Sequence, residues 1–183
     1  MLPPVAALAL CGAAFLVWWM WGDISYFWSP RDPIELGAEG EYRFDRALTN
    51  RYAQVHGAPL GRGWYAQEKD GDFVLLPVSD TPLVLRRSTF PDEQPGRDGK
   101  RPQPRLNPFS ARGRLLSRAD AGRYADAVLR IEAWSGQPVK WLLVAEQRPG
   151  SDLSVMVSLA FLLAFGALNG WLFVRGLRRS RKG

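Results

Sequence analysis

The chain has 183 residues, 24 of them Lys or Arg against 18 Asp or Glu, with one His and one Cys and a formal net charge of +6. A single cysteine excludes an intrachain disulfide framework, and a single histidine with no second soft ligand outside the apolar segments argues against a zinc site. Five basic residues at the C-terminal end carry most of the excess; without them 19 basic side chains face 18 acidic ones, which gives no electrostatic basis for nucleic-acid binding.

The first element is an apolar run over 2–21 (LPPVAALALCGAAFLVWWMW) without a charged side chain. About 20 apolar residues cross the hydrocarbon core of a bilayer as a helix, and lipid leaves the backbone no other way to satisfy its polar groups. A transmembrane helix is therefore expected at 2–21, with Cys11 as a small apolar filler inside it. The run lacks a basic leader and an Ala-x-Ala cleavage site, so it reads as a retained anchor. Trp18, Trp19, Trp21 and Trp28 form an aromatic belt suited to the headgroup layer.

Residues 22–40, rich in Pro and Gly, read as an irregular connector into a β-rich domain at 41–147. Five or six strands are expected among Tyr42–Ala47, Arg51–Gly57, Trp64–Glu68, Phe73–Val78 and Leu83–Arg87, then Ser110–Leu116 and Val139–Ala145. Lys69-Asp-Gly-Asp72 marks a hairpin turn. The segment 90–108, with prolines among Arg97, Lys100, Arg101 and Arg105, reads as a long exposed loop with nothing to bury. Ser117-Arg-Ala-Asp120 opens a helix as a capping box, Tyr124, Val128 and Ile131 share one face of it, and Gly136 stops it. The expected fold is one antiparallel sheet or a small barrel, OB-like in its bent, glycine-bearing strands, with an α+β sandwich as the alternative.

A second apolar run at 153–174 supplies the other expected span. It carries Gly166, Asn169 and Gly170, a GxxxG face with a polar side chain, suited to helix packing. Ala6, Ala7, Gly12 and Ala13 of the first run offer a complement. Trp171 anchors the far interface. The tail at 175–183 holds Arg175, Arg178, Arg179, Arg181 and Lys182, which retain it in the cytoplasm and contact anionic lipid. Both termini are then cytoplasmic and the middle is translocated. Arg-rich, Ala-, Gly- and Pro-rich usage is that of a high-GC bacterial genome, so the expected location is a bacterial inner membrane with the β-rich domain in the periplasm.

No residue pattern singles out catalysis. Cys11 lies in the apolar run, His56 lacks a Gly-x-Ser-x-Gly elbow, and no phosphate loop or dinucleotide fingerprint occurs. No catalytic, cofactor or metal residues are therefore assigned. Trp64, Trp134 and Trp141 read as core or sheet-face residues. In layout the chain resembles the Surf-type assembly factors of haem-copper oxidases, which also hold a translocated domain between two terminal spans. The Gly-x-Trp-Gln motif of that family is absent, with Trp21-Gly-Asp-Ile in its place, and no residue role carries over. The function expected is non-enzymatic: a two-span protein whose periplasmic domain binds or scaffolds another membrane or envelope component. The alternatives are a subunit or assembly factor of a larger membrane complex, and a membrane-anchored hydrolase or transferase with carboxylates not identified. The partners are the lipid bilayer, a membrane or envelope protein, or a second copy of the chain.

Overall fold

The alternating segments of the middle pair into one seven-stranded sheet in a computed structural model, which describes residues 3–68, 71–93 and 104–180. The strands are β1 (Ile34–Glu35), β2 (Arg51–Gly57), β3 (Trp64–Glu68), β4 (Gly71–Pro77), β5 (Leu83–Ser88), β6 (Phe109–Ser117) and β7 (Trp141–Ala145). Their order across the sheet is β1-β2-β6-β7-β5-β4-β3.

Two corrections to the expected architecture follow. The sheet is mixed rather than antiparallel, because β1 runs parallel to β2 and β5 parallel to β7. Nor does any ladder close it into a barrel among the described residues; β1 and β3 are its two edges. The reason lies in the crossover between β6 and β7, which returns β7 antiparallel to β6 and slots it beside β5. The expected strand Tyr42–Ala47 is instead a short 3-10 turn at Phe44–Arg46, and the connector contributes the unexpected strand β1. At the β3–β4 hairpin Glu68 faces Gly71. Lys69 and Asp70 of the turn motif lie outside the described residues.

β5 and β7 read as continuous apolar runs because they are central and covered on both faces. Leu143 and Ala145 pack with Leu85, Ala53, Val55 and Leu115 beneath Leu36 on one face. Leu142 and Val144 pack with Val84, Phe73 and Leu75 on the other. Helix α3 (Ala125–Ser135) covers this second face through Tyr124, Val128 and Ile131, as their spacing requires. The chain enters it by two 3-10 turns. Ser117 Oγ caps the first by accepting from the Asp120 N–H, and it donates in turn to Asp120 Oδ2 at 2.6 Å. Ser117 and Thr49 both hydrogen-bond the Asp120 carboxylate and hold its pKa below the usual range. Gly136 ends the helix at φ 69°, a conformation that costs a residue with a Cβ about 1 kcal/mol or more.

The chain divides into two compact units, Ser29–Pro149 and the terminal segments Met1–Trp28 with Gly150–Gly183. In the terminal unit, helix α1 (Pro3–Trp19) packs against helix α4 (Leu153–Ser180). The segment Leu153–Arg178 is long and apolar enough to cross a membrane. The N-terminal run is not one straight helix: it breaks near Met20, and helix α2 (Trp21–Phe27) continues at a 54° bend. The two pieces pass the length and hydropathy criterion for a span only when taken together.

Candidate functional site

β7 is shorter than the strands beside it, and that shortness creates a notch. Its last residue, Ala145, pairs with Gly113, so Phe109–Arg112 of β6 extend past it. On the other side Arg86 pairs with Val144 in the parallel register, which sets Arg87 level with Ala145, so Ser88 of β5 extends past it too. Glu146, held at φ 71°, turns the chain off the sheet at that point. The space left is a cavity of about 520 Å³, within the range of small-molecule sites. Leu76, Leu85, Ala111 and Ala145 form its apolar floor, and Arg87, Arg105, Arg112 and Arg148 stand around it with Glu146.

One wall is fixed by a buried ion pair. Glu93 is 1% exposed, and both its oxygens bind Arg87, Nη1 to Oε2 and Nη2 to Oε1, each at 2.6 Å. Its carboxylate also accepts the N–H of Phe90 at 3.0 Å and of Arg105 at 2.6 Å. Burial works against ionisation here, but the Arg87 hydrogen bonds, the two backbone donors and the Arg87 charge outweigh it and bring Glu93 down to about 2. Arg105 pairs with Asp92 at 2.9 Å, and the guanidinium groups of Arg87 and Arg105 both stack on the Phe90 ring. The expectation that 90–108 buries nothing is thus wrong at its ends: Glu93 and Pro104 are buried because a satisfied carboxylate ties Phe90 and Arg105 to β5. Arg97, Lys100 and Arg101 lie outside the described residues.

Outside the notch, a directional hydrogen-bond chain runs between β6 and β2. Arg112 Nε donates to Gln54 Oε1, across the β2–β6 pairing that sets the two residues opposite each other. A guanidinium can only donate, so the amide must present its oxygen there. Its NH₂ then faces His56 Nε2 at 2.7 Å, which must accept; His56 is the Nδ1–H tautomer in this arrangement. Gln54 is buried and Arg112 exposed. The chain therefore holds a solvent-facing cation in one place from below. No sequence pattern links His56 to Gln54 and Arg112; the β2–β6 register supplies that link.

Charge balance separates the four arginines. Arg87 is neutralised by Glu93 and Arg105 by Asp92. Arg148 has interactions of its own. Glu146 accepts the Ser88 hydroxyl at 3.0 Å. Arg112 takes part in no ion pair among the described residues.

The residues expected at the membrane lie apart from this notch in sequence. Trp18, Trp19, Trp21, Trp28 and Trp171 are all exposed, and Arg175 stacks on Trp171 at 5.0 Å. Arg178 is exposed; Arg179 lies within α4, while Arg181 and Lys182 fall outside the described residues. Asn169 is 3% exposed, and its Nδ2 donates to the Phe165 carbonyl of its own helix at 2.9 Å. Ala6 and Ala13 are buried, whereas a Cβ at Gly12, Gly166 or Gly170 would meet nothing within 4 Å. Trp64 and Trp141 are half-buried against the two core clusters, and Trp134 is exposed. No group of three or more His, Cys, Asp or Glu is placed to hold a metal ion among the described residues.

No family model matches the chain, and comparisons with curated proteins and with solved structures find no match.

Proposed function

We propose that the chain is a two-span inner-membrane protein whose β-rich unit is a non-enzymatic binding domain for another membrane or envelope component. The observation that supports this reading most is the arrangement along the chain. A unit with its own two-sided core, Ser29–Pro149, is bracketed by apolar helical segments. Across a membrane, α4 at about 42 Å is longer than the hydrocarbon core of about 30 Å, which leaves its basic end in the headgroup layer. Arg175, Arg178 and Arg179 at that end favour the cytoplasmic side, so the β-rich unit lies in the periplasm. A second reading, a subunit or assembly factor of a larger complex, draws on Gly166 and Gly170, whose open surroundings give another helix room to approach.

The test is cross-linking and mild-detergent purification of the tagged chain from its own membranes. Partners cross-linked through Ser29–Pro149 support the binding domain, and partners lost in a Gly166→Leu/Gly170→Leu variant support the second reading. Release of the chain by alkaline carbonate, or labelling of Asp45→Cys (in a Cys11→Ala background) only from the cytoplasmic side, overturns the two-span topology.

A further inference from the structure

We infer that Gln54 and His56 form a proton-sensitive latch for Arg112, which holds the guanidinium while the His56 imidazole is neutral and releases it when the imidazole is protonated. This inference goes beyond the tethered binding domain and depends neither on a protein partner nor on the topology.

The three side chains share one face of the sheet. Ala53, Val55 and Ala111 pack into the core beneath Leu36, so Gln54, His56 and Arg112, which alternate with them along β2 and β6, lie on the opposite side. Farther across that side, α3 covers Val84 and Leu142. Gln54 is 6% exposed; its Oε1 accepts from Arg112 Nε and its Nε2 donates to His56 Nε2.

Donor and acceptor capacity ties the proton to the cation. An imidazolium donates from both ring nitrogens, and a guanidinium only donates. Once His56 Nε2 carries a proton, it meets the amide NH₂ donor to donor at 2.7 Å. Turning the amide over gives its oxygen to the imidazolium and sets its NH₂ against Arg112 Nε–H. Satisfying one cation in this way takes the acceptor from the other. Arg112 is the member free to leave, because it is exposed and Gln54 is buried.

Other charged and titratable groups approach the imidazole from both neighbouring strands. Glu35 of β1 stands level with Gln54, and Glu39 follows the Gly37 carbonyl that accepts the His56 N–H. On β6, Ser110 stands opposite His56, with Arg112 and then Arg114 next along that face and Tyr52 opposite Arg114. Tyr42 reaches Gly57 from the core side. Beyond β6, the Glu146 carboxylate accepts the Ser88 hydroxyl. Glu35 and Glu39 are exposed, so solvent screens them and leaves the amide as the directed contact.

Magnetic resonance of the full chain in mild detergent, with isotope-labelled histidine and arginine, tests the latch. His56 is the only histidine, so its imidazole signals need no assignment, and the Arg112 Nε–H signal is identified by its loss in Arg112→Lys. Above the imidazole transition the expected form is the Nδ1–H tautomer, with Arg112 Nε–H exchanging with water at least about tenfold more slowly than that of the exposed Arg62. As pH falls, this protection relative to Arg62 is lost with the same midpoint as imidazole protonation. His56→Gln, whose amide oxygen accepts without taking up a proton, keeps the protection throughout. Gln54→Glu also keeps it, because a carboxylate accepts from both cations at once. An Nε2–H tautomer, protection that persists after the imidazole is protonated, or the same pH-dependent loss in either variant overturns the inference. Titration of the unsubstituted chain yields the first two of these outcomes whether or not the buried Gln54→Glu variant folds.

Discussion

Replacing Glu93 with Gln tests whether one buried carboxylate fixes the notch wall. The side chain is 1% exposed and accepts four hydrogen bonds, two from Arg87 and one each from the Phe90 and Arg105 backbone. Its pKa of about 2 against an ordinary 4.5 corresponds to about 3 kcal/mol of folding stability at pH 7. Because the folded value is the depressed one, this stabilisation is complete above pH 4.5 and is lost as pH falls towards 2. About 1 kcal/mol of it remains at pH 3. Gln cannot supply the charge, and it leaves the largely buried Arg87 without a counter-ion, a change that costs about 3–5 kcal/mol in comparable buried pairs.

The assay is urea unfolding of the full chain in mild detergent, followed by tryptophan emission, at pH 7 and at pH 3. Glu93→Gln should lose about 3 kcal/mol at pH 7 and much less at pH 3. Asp92→Asn is the control: its pair with Arg105 is half exposed on both sides and contributes less than about 1 kcal/mol. The reasoning is refuted if the Glu93 variant is no less stable than the Asp92 variant, or if its deficit is the same at both pH values.

Gly113→Ala should separate β6 from β7, because a Cβ there overlaps the Val144 carbonyl; thermal unfolding is expected to shift down by several degrees, with amide exchange fastest in those two strands. Ile131→Ala removes a fully buried side chain from the α3 face and should cost about 2–5 kcal/mol by the same urea assay. Asn169→Leu is expected to change the stability of the helix pair by less than about 1 kcal/mol in detergent, since the amide is satisfied within its own helix. A larger loss would point to a partner across an interface.

The sequence made local structure legible and left pairing hidden. β2, β4 and β5 showed as alternating or apolar runs, and α3 showed through its buried face and Gly136, although the Ser117 cap expected to open it begins a 3-10 turn ahead of it instead. Each of those signals is carried by residues within one or two turns of one another. Strand order is a long-range property, and no pattern in WLLVA states that β7 lies between β6 and β5. Tyr42–Ala47 alternates like a strand, yet Tyr42 and Phe44 pack on the core from a 3-10 turn instead. Glu93 was hidden by its neighbours, because a Pro- and charge-rich segment averages to exposed while one side chain in it is buried. The notch was invisible for a related reason: it exists only because β7 stops sooner than strands that are distant in sequence.

The central place of β7 has a consequence for how the chain is made. One half of the sheet, β1-β2-β6, and the other, β5-β4-β3, share no ladder except through this last strand. Until the ribosome has released residues up to Ala145, each half presents an unpaired edge, on β6 and on β5, of the kind that recruits other chains. Only residues 146–152 separate β7 from α4, so the joining of the two halves falls at nearly the same moment as the emergence of the long apolar helix. A chain interrupted before Trp141 keeps most of the residues of the sheet and lacks its keystone, and proteolysis of such nascent fragments should fall abruptly once the strand is complete.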